Sequence, residues 1–186
     1  YRQEESRLSS GEKDAWVIRD LSVHLDYLKA SIEATEAEIQ SFTKGTPGLK
    51  AQQELLVSIP GVGKKSSARL LGEIGEISRF ENAPQLAAYA GLNPKGFSSG
   101  SSVHKKTRIS KQGRSELRAC LYMPAIVAMT HNPVIRALKE RLEKKQLPNM
   151  AIIAACMRKL LHIVYGVLKS QKPFDPEYDR QFNFSA

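Results

Sequence analysis

The stretch "LVSIPGVGKKSSARLLGEIG", residues 56–75, joins an apolar run, a Pro-Gly turn and a second amphipathic run. Gly61 and Gly63 interrupt the helical pattern, which predicts helices over 49–58 and 64–74 with a tight turn between them. The segment is therefore predicted to be a helix–hairpin–helix, held together by apolar side chains at Ile59, Val62, Ala68, Leu70 and Leu71.

The composition of this turn suits contact with a phosphate. Gly61 and Gly63 let the backbone turn tightly and approach a partner without a Cβ atom. The first N–H groups of the second helix would point outward at the positive end of its dipole, with Lys64 and Lys65 beside them. This pattern predicts a grip on the DNA backbone that reads no base sequence. The alternative is a glycine-rich helix turn with two surface lysines.

A long amphipathic helix is predicted before this segment. Residues 14–43 carry an unbroken heptad seam, and "KGTPG" at 44–48 ends it. The seam favours a coiled coil that joins two copies of the chain, although it could instead pack on its own domain. Its members are Ile18, Leu21, Leu25, Leu28, Ile32, Thr35, Ile39 and Phe42.

The rest of the chain also has helical periods, so the predicted fold class is all-α. A short helix is expected from Asn82 to Gly91, and longer ones over 114–130, 133–145 and 148–170. The one strand signal is a short hairpin within 97–110. The predicted organisation is a coiled-coil helix, a helix–hairpin–helix segment, a helical domain with a basic serine-bearing loop, and an irregular tail, at 1–45, 46–82, 83–172 and 173–186.

Charge is unevenly distributed along the chain. Residues 1–45 carry six basic and nine acidic side chains, whereas 46–186 carry 22 basic and ten acidic ones, which gives +9 in total. A basic body with an acidic arm predicts a polyanionic partner, most simply nucleic acid. A basic protein with no such partner is the alternative.

The cysteines and histidines give no sign of a metal or disulfide site. Cys120 and Cys156 lie in apolar helical runs, which predicts small core residues in a reducing compartment. The histidines are scattered without metal-ligand spacing, so no metal site is predicted. No apolar stretch is expected to reach the roughly 20 residues of a membrane helix. No signal peptide is recognised, and because the chain begins with Tyr1 we expect it to be the C-terminal part of a longer protein.

A basic stretch, "GLNPKGFSSGSSVHKKTRISKQGRSELR" at 91–118, surrounds a cluster of serines. A serine hydroxyl can attack a phosphate when it is activated, and nearby cations stabilise the charge that develops. A solvated loop whose lysines hold phosphates is the alternative; a tyrosine-recombinase site is disfavoured because no His-x-x-Arg is present. The stretch has one acid, Glu116, and seven bases: Lys95, Lys105, Lys106, Arg108, Lys111, Arg114 and Arg118.

Three motifs in order resemble one family. "LVSIPGVGKKSSARLLGEIG", then "RFENAPQLAAYAGLNPKGFSSG" and "TRISKQGRSELRACL", are similar to the C-terminal half of the insertion-sequence one-ten family of DEDD transposases. These are also known as bridge-RNA-guided recombinases, and the Piv-type DNA invertases are relatives. The resemblance covers roughly residues 50–170, and the long helix before it matches the coiled coil of that family.

The resemblance implies a mechanism and its residues. Ser99, directly before Gly100, would be the nucleophile that forms a phosphoserine intermediate, with Ser98 as the competing assignment. Gln112 stands where many relatives have a further basic residue. The basic residues expected to surround the scissile phosphate, or to hold DNA and a guide RNA, are Lys105, Lys106, Arg108, Lys111, Arg114 and Arg118.

Other parts of the family's machinery are expected outside this chain. Mg²⁺ and its carboxylate ligands would belong to an N-terminal RuvC-like domain, so the chain alone should bind nucleic acid without recombining it. A homo-oligomer in the cytoplasm of a bacterium or archaeon, associated with the nucleoid and not with a membrane, is expected. The rival hypothesis is a non-enzymatic DNA-binding and dimerisation module. A repair-type helix–hairpin–helix protein would account for residues 49–75 only.

Overall fold

The computed structural model describes residues 2–9, 14–99 and 103–177, without the side chains of 96–108. Over these residues it contains eight α-helices, one short 3-10 helix and one pair of strands. The predicted all-α class is confirmed. The irregular tail predicted over 173–186 is described only to residue 177, where the chain is not helical.

The chain divides into two compact units, residues 1–47 and 48–186. The first unit contains α1 (Arg2–Ser9), which the sequence did not predict, and α2 (Ala15–Gly45), which is 31 residues long. Asp14 begins α2 because its carboxylate accepts a hydrogen bond of 3.1 Å from the backbone N–H of Trp16. The long helix predicted over 14–43 therefore begins one residue later and ends two residues later than expected.

The heptad seam of α2 differs in exposure along its length. Leu25 is buried, at 5% of its accessible surface. Further along, Ile32 and Ile39 are 45% and 48% exposed, and Phe42 is 68% exposed. Apolar side chains at this spacing and exposure are compatible with the predicted coiled coil, which stays a prediction.

The second unit holds the remaining elements. Six helices and two strands follow one another, and the 3-10 helix at Ile77–Arg79 was not predicted. In chain order the elements are α3 (Pro47–Val57), α4 (Lys64–Ile74), α5 (Ala83–Tyr89), β1 (Pro94–Ser99), β2 (Val103–Ile109), α6 (Ser115–His131), α7 (Pro133–Lys144) and α8 (Asn149–Ser170).

The hydrophobic core of the second unit is built around α8. This helix contacts α5, α6, α7 and the 3-10 helix. Its 22 residues are long and apolar enough, by length and composition alone, to cross a membrane. The expectation that no apolar stretch reaches this length was therefore wrong. The apolar character has a structural cause, because α8 places Ile152, Cys156, Met157, Leu160, Leu161, Val164, Val167 and Leu168 in the core.

Asparagine side chains begin two of the helices. Asn132 caps α7 and is fully buried. Its Oδ1 accepts hydrogen bonds from the N–H groups of Val134 and Ile135 at 3.0 and 3.3 Å. Asn82 caps α5 in the same way, accepting from Gln85 N at 2.9 Å, but it is exposed. The two caps therefore differ in their access to water.

We predict that Asn132→Ala lowers the free energy of unfolding by about 2 kcal/mol, the upper end of the usual range for an N-cap. One buried N–H group and one partly buried N–H group would lose their acceptor at a position with little access to water. Asn82→Ala is the matched control, and it should cost about 1 kcal/mol or less. Urea denaturation of both variants measures the difference, and equal losses would contradict this account.

Candidate nucleic-acid interface

The turn between α3 and α4 is held by its own backbone and by two buried side chains. Ile59 N donates to Leu56 O at 3.1 Å, and Val62 N donates to Ile59 O at 3.0 Å. The side chains of Ile59 and Val62 are buried in the core. The turn is therefore a fixed part of the second unit.

The two glycines of this turn have different surroundings. Gly61 has φ +105°, and a Cβ atom placed on it would lie 2.7 Å from the backbone nitrogen of Ala128 in α6. Gly63 is the N-cap of α4, and no described atom lies within 4 Å of the place where its Cβ would be. Gly61 therefore serves the close approach of the turn to α6, and Gly63 leaves space in front of the helix.

The start of α4 has features of an anion-binding surface. Among the residues whose side chains are described, none caps the helix at Gly63, and its first-turn residues Lys64 and Lys65 are exposed. The first N–H groups of a helix have no partner within the helix, and its dipole favours negative charge there. The arrangement can accept a phosphate, provided that the phosphate approaches past Gly63.

The strands β1 and β2 form an antiparallel hairpin that carries the predicted nucleophile. The pairing begins at Pro94 opposite Ile109, three residues before the hairpin predicted within 97–110. Ser98 pairs with His104, and Ser99 pairs with Val103. The side chains of these four strand residues lie outside the described part of the structure, as do those of the predicted phosphate ligands Lys105, Lys106 and Arg108.

Backbone contacts clamp the base of this hairpin to the end of α5. Ser110 N donates to Asn93 O at 2.8 Å, and Lys111 N donates to Gly91 O at 3.1 Å. Gly91 and Gly113 have φ of +68° and +143°, and a Cβ on either would meet backbone atoms of the opposite segment at 3.0 Å or less. The two glycines therefore let the two segments lie against each other.

The arginines predicted to bind nucleic acid beyond the hairpin make contacts within the chain. Arg114 Nε lies 2.7 Å from Glu73 Oε2 in α4, and this hydrogen bond raises the pKa of the guanidinium above its ordinary value. Arg118 Nη1 donates to Ala90 O at 2.9 Å and so helps to fix the end of α5. Lys111 is exposed and has φ +54°, an uncommon conformation for a lysine.

These contacts place two features at opposite ends of α4. One is the turn between α3 and α4, called the glycine turn, and the other is the base of the β1–β2 hairpin, called the serine hairpin. Gly61 lies against Ala128 late in α6, whereas Glu73, ten residues after Gly63, contacts Arg114 just before α6 begins. Helices α4 and α6 therefore run in opposite directions. Ten helical residues span about 15 Å, so the turn and the Glu73–Arg114 contact near the hairpin base are separated by about that length along α4.

Two charged residues on α4 were missed in the sequence. Arg69 is exposed one turn after Lys65, and this i, i+4 spacing was a usable signal. Glu73 binds Arg114 across 41 residues of sequence, which no local pattern predicts.

Burial shifts the pKa values of the two cysteines and of the partly buried His162 away from neutrality. Burial raises the pKa of the Cys120 and Cys156 thiols to about 11 in each case. Burial, with a smaller effect from Arg158 and Lys159, lowers the pKa of His162 to about 4. At neutral pH the thiols stay protonated and the imidazole stays uncharged. The prediction that both cysteines are core residues is confirmed.

Comparison with known proteins finds relatives of this chain. Residues 53–140 match the model of the transposase IS116/IS110/IS902 family. The chain is 42% identical over 146 residues to the pilin gene-inverting proteins of Moraxella bovis and Moraxella lacunata, across 78% of the chain and 45% of each relative. It is 27% identical to an uncharacterized 43.6 kDa protein of insertion element IS110 from Streptomyces coelicolor, across 82% of the chain and 36% of the relative. The chain thus spans less than half the length of these relatives.

We predict that alanine at the two turn glycines has different effects on folding. Gly61→Ala should destabilise the chain by about 2 kcal/mol or more, because the new Cβ meets the Ala128 backbone at a positive φ. Gly63→Ala should cost less than about 1 kcal/mol, since the site is open and φ there is ordinary for alanine. Thermal unfolding followed by circular dichroism measures both, and equal melting temperatures would show that Gly61 is not a packing position.

Proposed function

The chain belongs to the IS116/IS110/IS902 transposase family, and from this membership we propose that it cuts and rejoins DNA through the hydroxyl of Ser99. The observation that carries the proposal is the family match over residues 53–140, which includes both the glycine turn and the serine hairpin. Two relatives are named as pilin gene-inverting proteins, and inversion of a gene requires DNA strands to be cut and rejoined.

The proposed chemistry consists of two transesterifications. In the first, Ser99 Oγ attacks the phosphorus of a DNA phosphodiester, an Oγ–P bond forms, and the P–O bond to one deoxyribose breaks. The serine proton ends on the departing deoxyribose oxygen. In the second, a deoxyribose hydroxyl attacks the phosphoserine and returns a proton to Ser99. The number of phosphoester bonds is unchanged, so rejoining needs no nucleotide cofactor.

The basic residues of β2 would assist this chemistry. A serine hydroxyl is a weak nucleophile, and positive charge at the phosphate stabilises the transition state. Lys105, Lys106 and Arg108 follow Ser99 along the hairpin, and Lys111 is exposed at its base. The clamp between Gly91 and Gly113 supports this role, because it fixes the base from which the strands extend.

DNA would be held by the helix–hairpin–helix formed by α3, the turn and α4. Gly63 gives a phosphate access to the start of α4, and Lys64 and Lys65 add charge that reads no sequence. Gly61 supports this grip indirectly, by packing the turn on α6. A guide RNA and an Mg²⁺-binding RuvC-like domain remain proposals from the family resemblance, as does action on DNA in the cytoplasm.

The alternative function is DNA binding and dimerisation without catalysis. It is favoured by the same turn and lysines, and in it Ser99 would at most contact a phosphate. The two functions predict different results when the Ser99 hydroxyl is removed. Recombination is lost if Ser99 is the nucleophile, and it continues if Ser99 only contacts a phosphate.

We predict that Ser99→Ala abolishes recombination by a protein that carries this chain together with the expected RuvC-like domain. DNA affinity should fall by no more than about fivefold, because one hydroxyl hydrogen bond contributes about 1 kcal/mol. Ser98→Ala is the matched control. Neighbouring residues of a strand belong to opposite faces, so it should keep most of the activity. An inversion or excision assay measures both variants, and full activity of Ser99→Ala would leave the non-enzymatic function.

We also propose that the heptad seam of α2, which is exposed at Ile32, Ile39 and Phe42, joins two copies of the chain in a coiled coil. Ile32→Asp with Ile39→Asp should yield a folded monomer, since each charge would lie in the apolar seam. The matched control is Val23→Asp with Tyr27→Asp, because Val23 and Tyr27 are 64% and 69% exposed and lie outside the seam. Sedimentation equilibrium distinguishes the states, and an unmutated chain that is monomeric at high concentration would contradict the proposal.

A further inference from the structure

The exposed face of α4 connects the glycine turn with the base of the serine hairpin. Lys65, Arg69 and Glu73 are spaced four residues apart, which places them on one side of the helix. Lys65 and Arg69 are exposed. The carboxylate of Glu73 forms a salt bridge with Arg114. One face of a single helix therefore extends from one proposed DNA contact to the other.

This face has little negative charge to oppose a phosphate. Helix α4 contains three basic residues, Lys64, Lys65 and Arg69, and one acid, Glu73. The carboxylate of Glu73 is 2.7 Å from Arg114 Nε, so its charge is compensated by a cation. A surface of one sign concentrates counter-ions along it. A guanidinium is also suited to a phosphate, because its planar donors can form two parallel hydrogen bonds.

The position of Arg69 along α4 lies between the two proposed contacts. Arg69 is six residues after Gly63 and four before Glu73, which correspond to axial distances of about 9 Å and about 6 Å. The whole path of about 15 Å equals the axial length of roughly four base pairs of duplex DNA. A duplex that lies along this face and meets both the turn and the hairpin base would pass Arg69.

We propose that Arg69 binds a backbone phosphate of DNA that lies along α4 between the glycine turn and the serine hairpin. Glu73 is a positioning residue in this arrangement, because it holds Arg114 at the hairpin end. The inference rests on the proposed function, since it assumes that the turn and the hairpin act on the same DNA.

The salt dependence of DNA affinity tests this inference without knowledge of the target sequence. Each phosphate neutralised by the protein contributes a slope of about −0.9 to the plot of log K against log salt concentration. Arg69→Ala should flatten that slope by about 0.9 on a random 30-base-pair duplex. Arg69→Lys, which keeps the charge, should retain the slope. The matched control is Arg141→Ala, which removes an equal charge from the exposed surface of α7 and should leave the slope unchanged.

The variants separate failure of this inference from failure of the proposed function. If the unmutated chain has no salt-dependent affinity for DNA, the proposed function is wrong. If Lys64→Ala with Lys65→Ala flattens the slope while Arg69→Ala behaves like Arg141→Ala, only the path along α4 is wrong. Flattening by Arg69→Ala on an RNA duplex but not on DNA would assign the face to RNA and overturn the proposal. Matching melting temperatures confirm that each variant is folded.

Discussion

The antiparallel packing of α4 against α6 is the constraint on which the proposed site depends. At one end, Gly61 lies so close to Ala128 that a side chain would meet the α6 backbone. At the other end, Glu73 binds Arg114 next to the start of α6. The first contact fixes the position of the helix–hairpin–helix formed by α3, the turn and α4. The second contact fixes the base of the β1–β2 hairpin. Both proposed DNA contacts are therefore positioned by one pair of helices.

Backbone hydrogen bonds also hold the base of the β1–β2 hairpin against the end of α5. Gly91 O accepts a hydrogen bond from Lys111 N, and the Tyr89 carbonyl accepts a hydrogen bond of 2.8 Å from Arg114 N. Arg114 thus contacts α4 through its side chain and α5 through its backbone. A nucleophilic serine needs a phosphate delivered to it in a defined position. A hairpin anchored to the same helices that are proposed to hold DNA offers a physical route to that position.

Local patterns in the sequence predicted helices α2 to α8 and their order, because capping residues and apolar periods act over a few positions. The bounds of α4 were predicted as observed, and the pattern of Asn132 and Pro133 located the start of α7. The roles of Gly61 and Arg114 could not be predicted, since both depend on partners more than 40 residues away. The apolar length of α8 was underestimated because basic residues at Arg158 and Lys159 interrupt it, although they lie at the partly buried side of a core helix.

The central claim is that Ser99 becomes covalently attached to DNA. The most direct measurement is to trap the complex on a nicked duplex, using the protein with its expected RuvC-like domain, and to map the modified peptide by mass spectrometry. The account predicts a phosphoserine linkage at position 99. An adduct at Ser98 or at any other residue, or the absence of an adduct under conditions in which the DNA recombines, would contradict it.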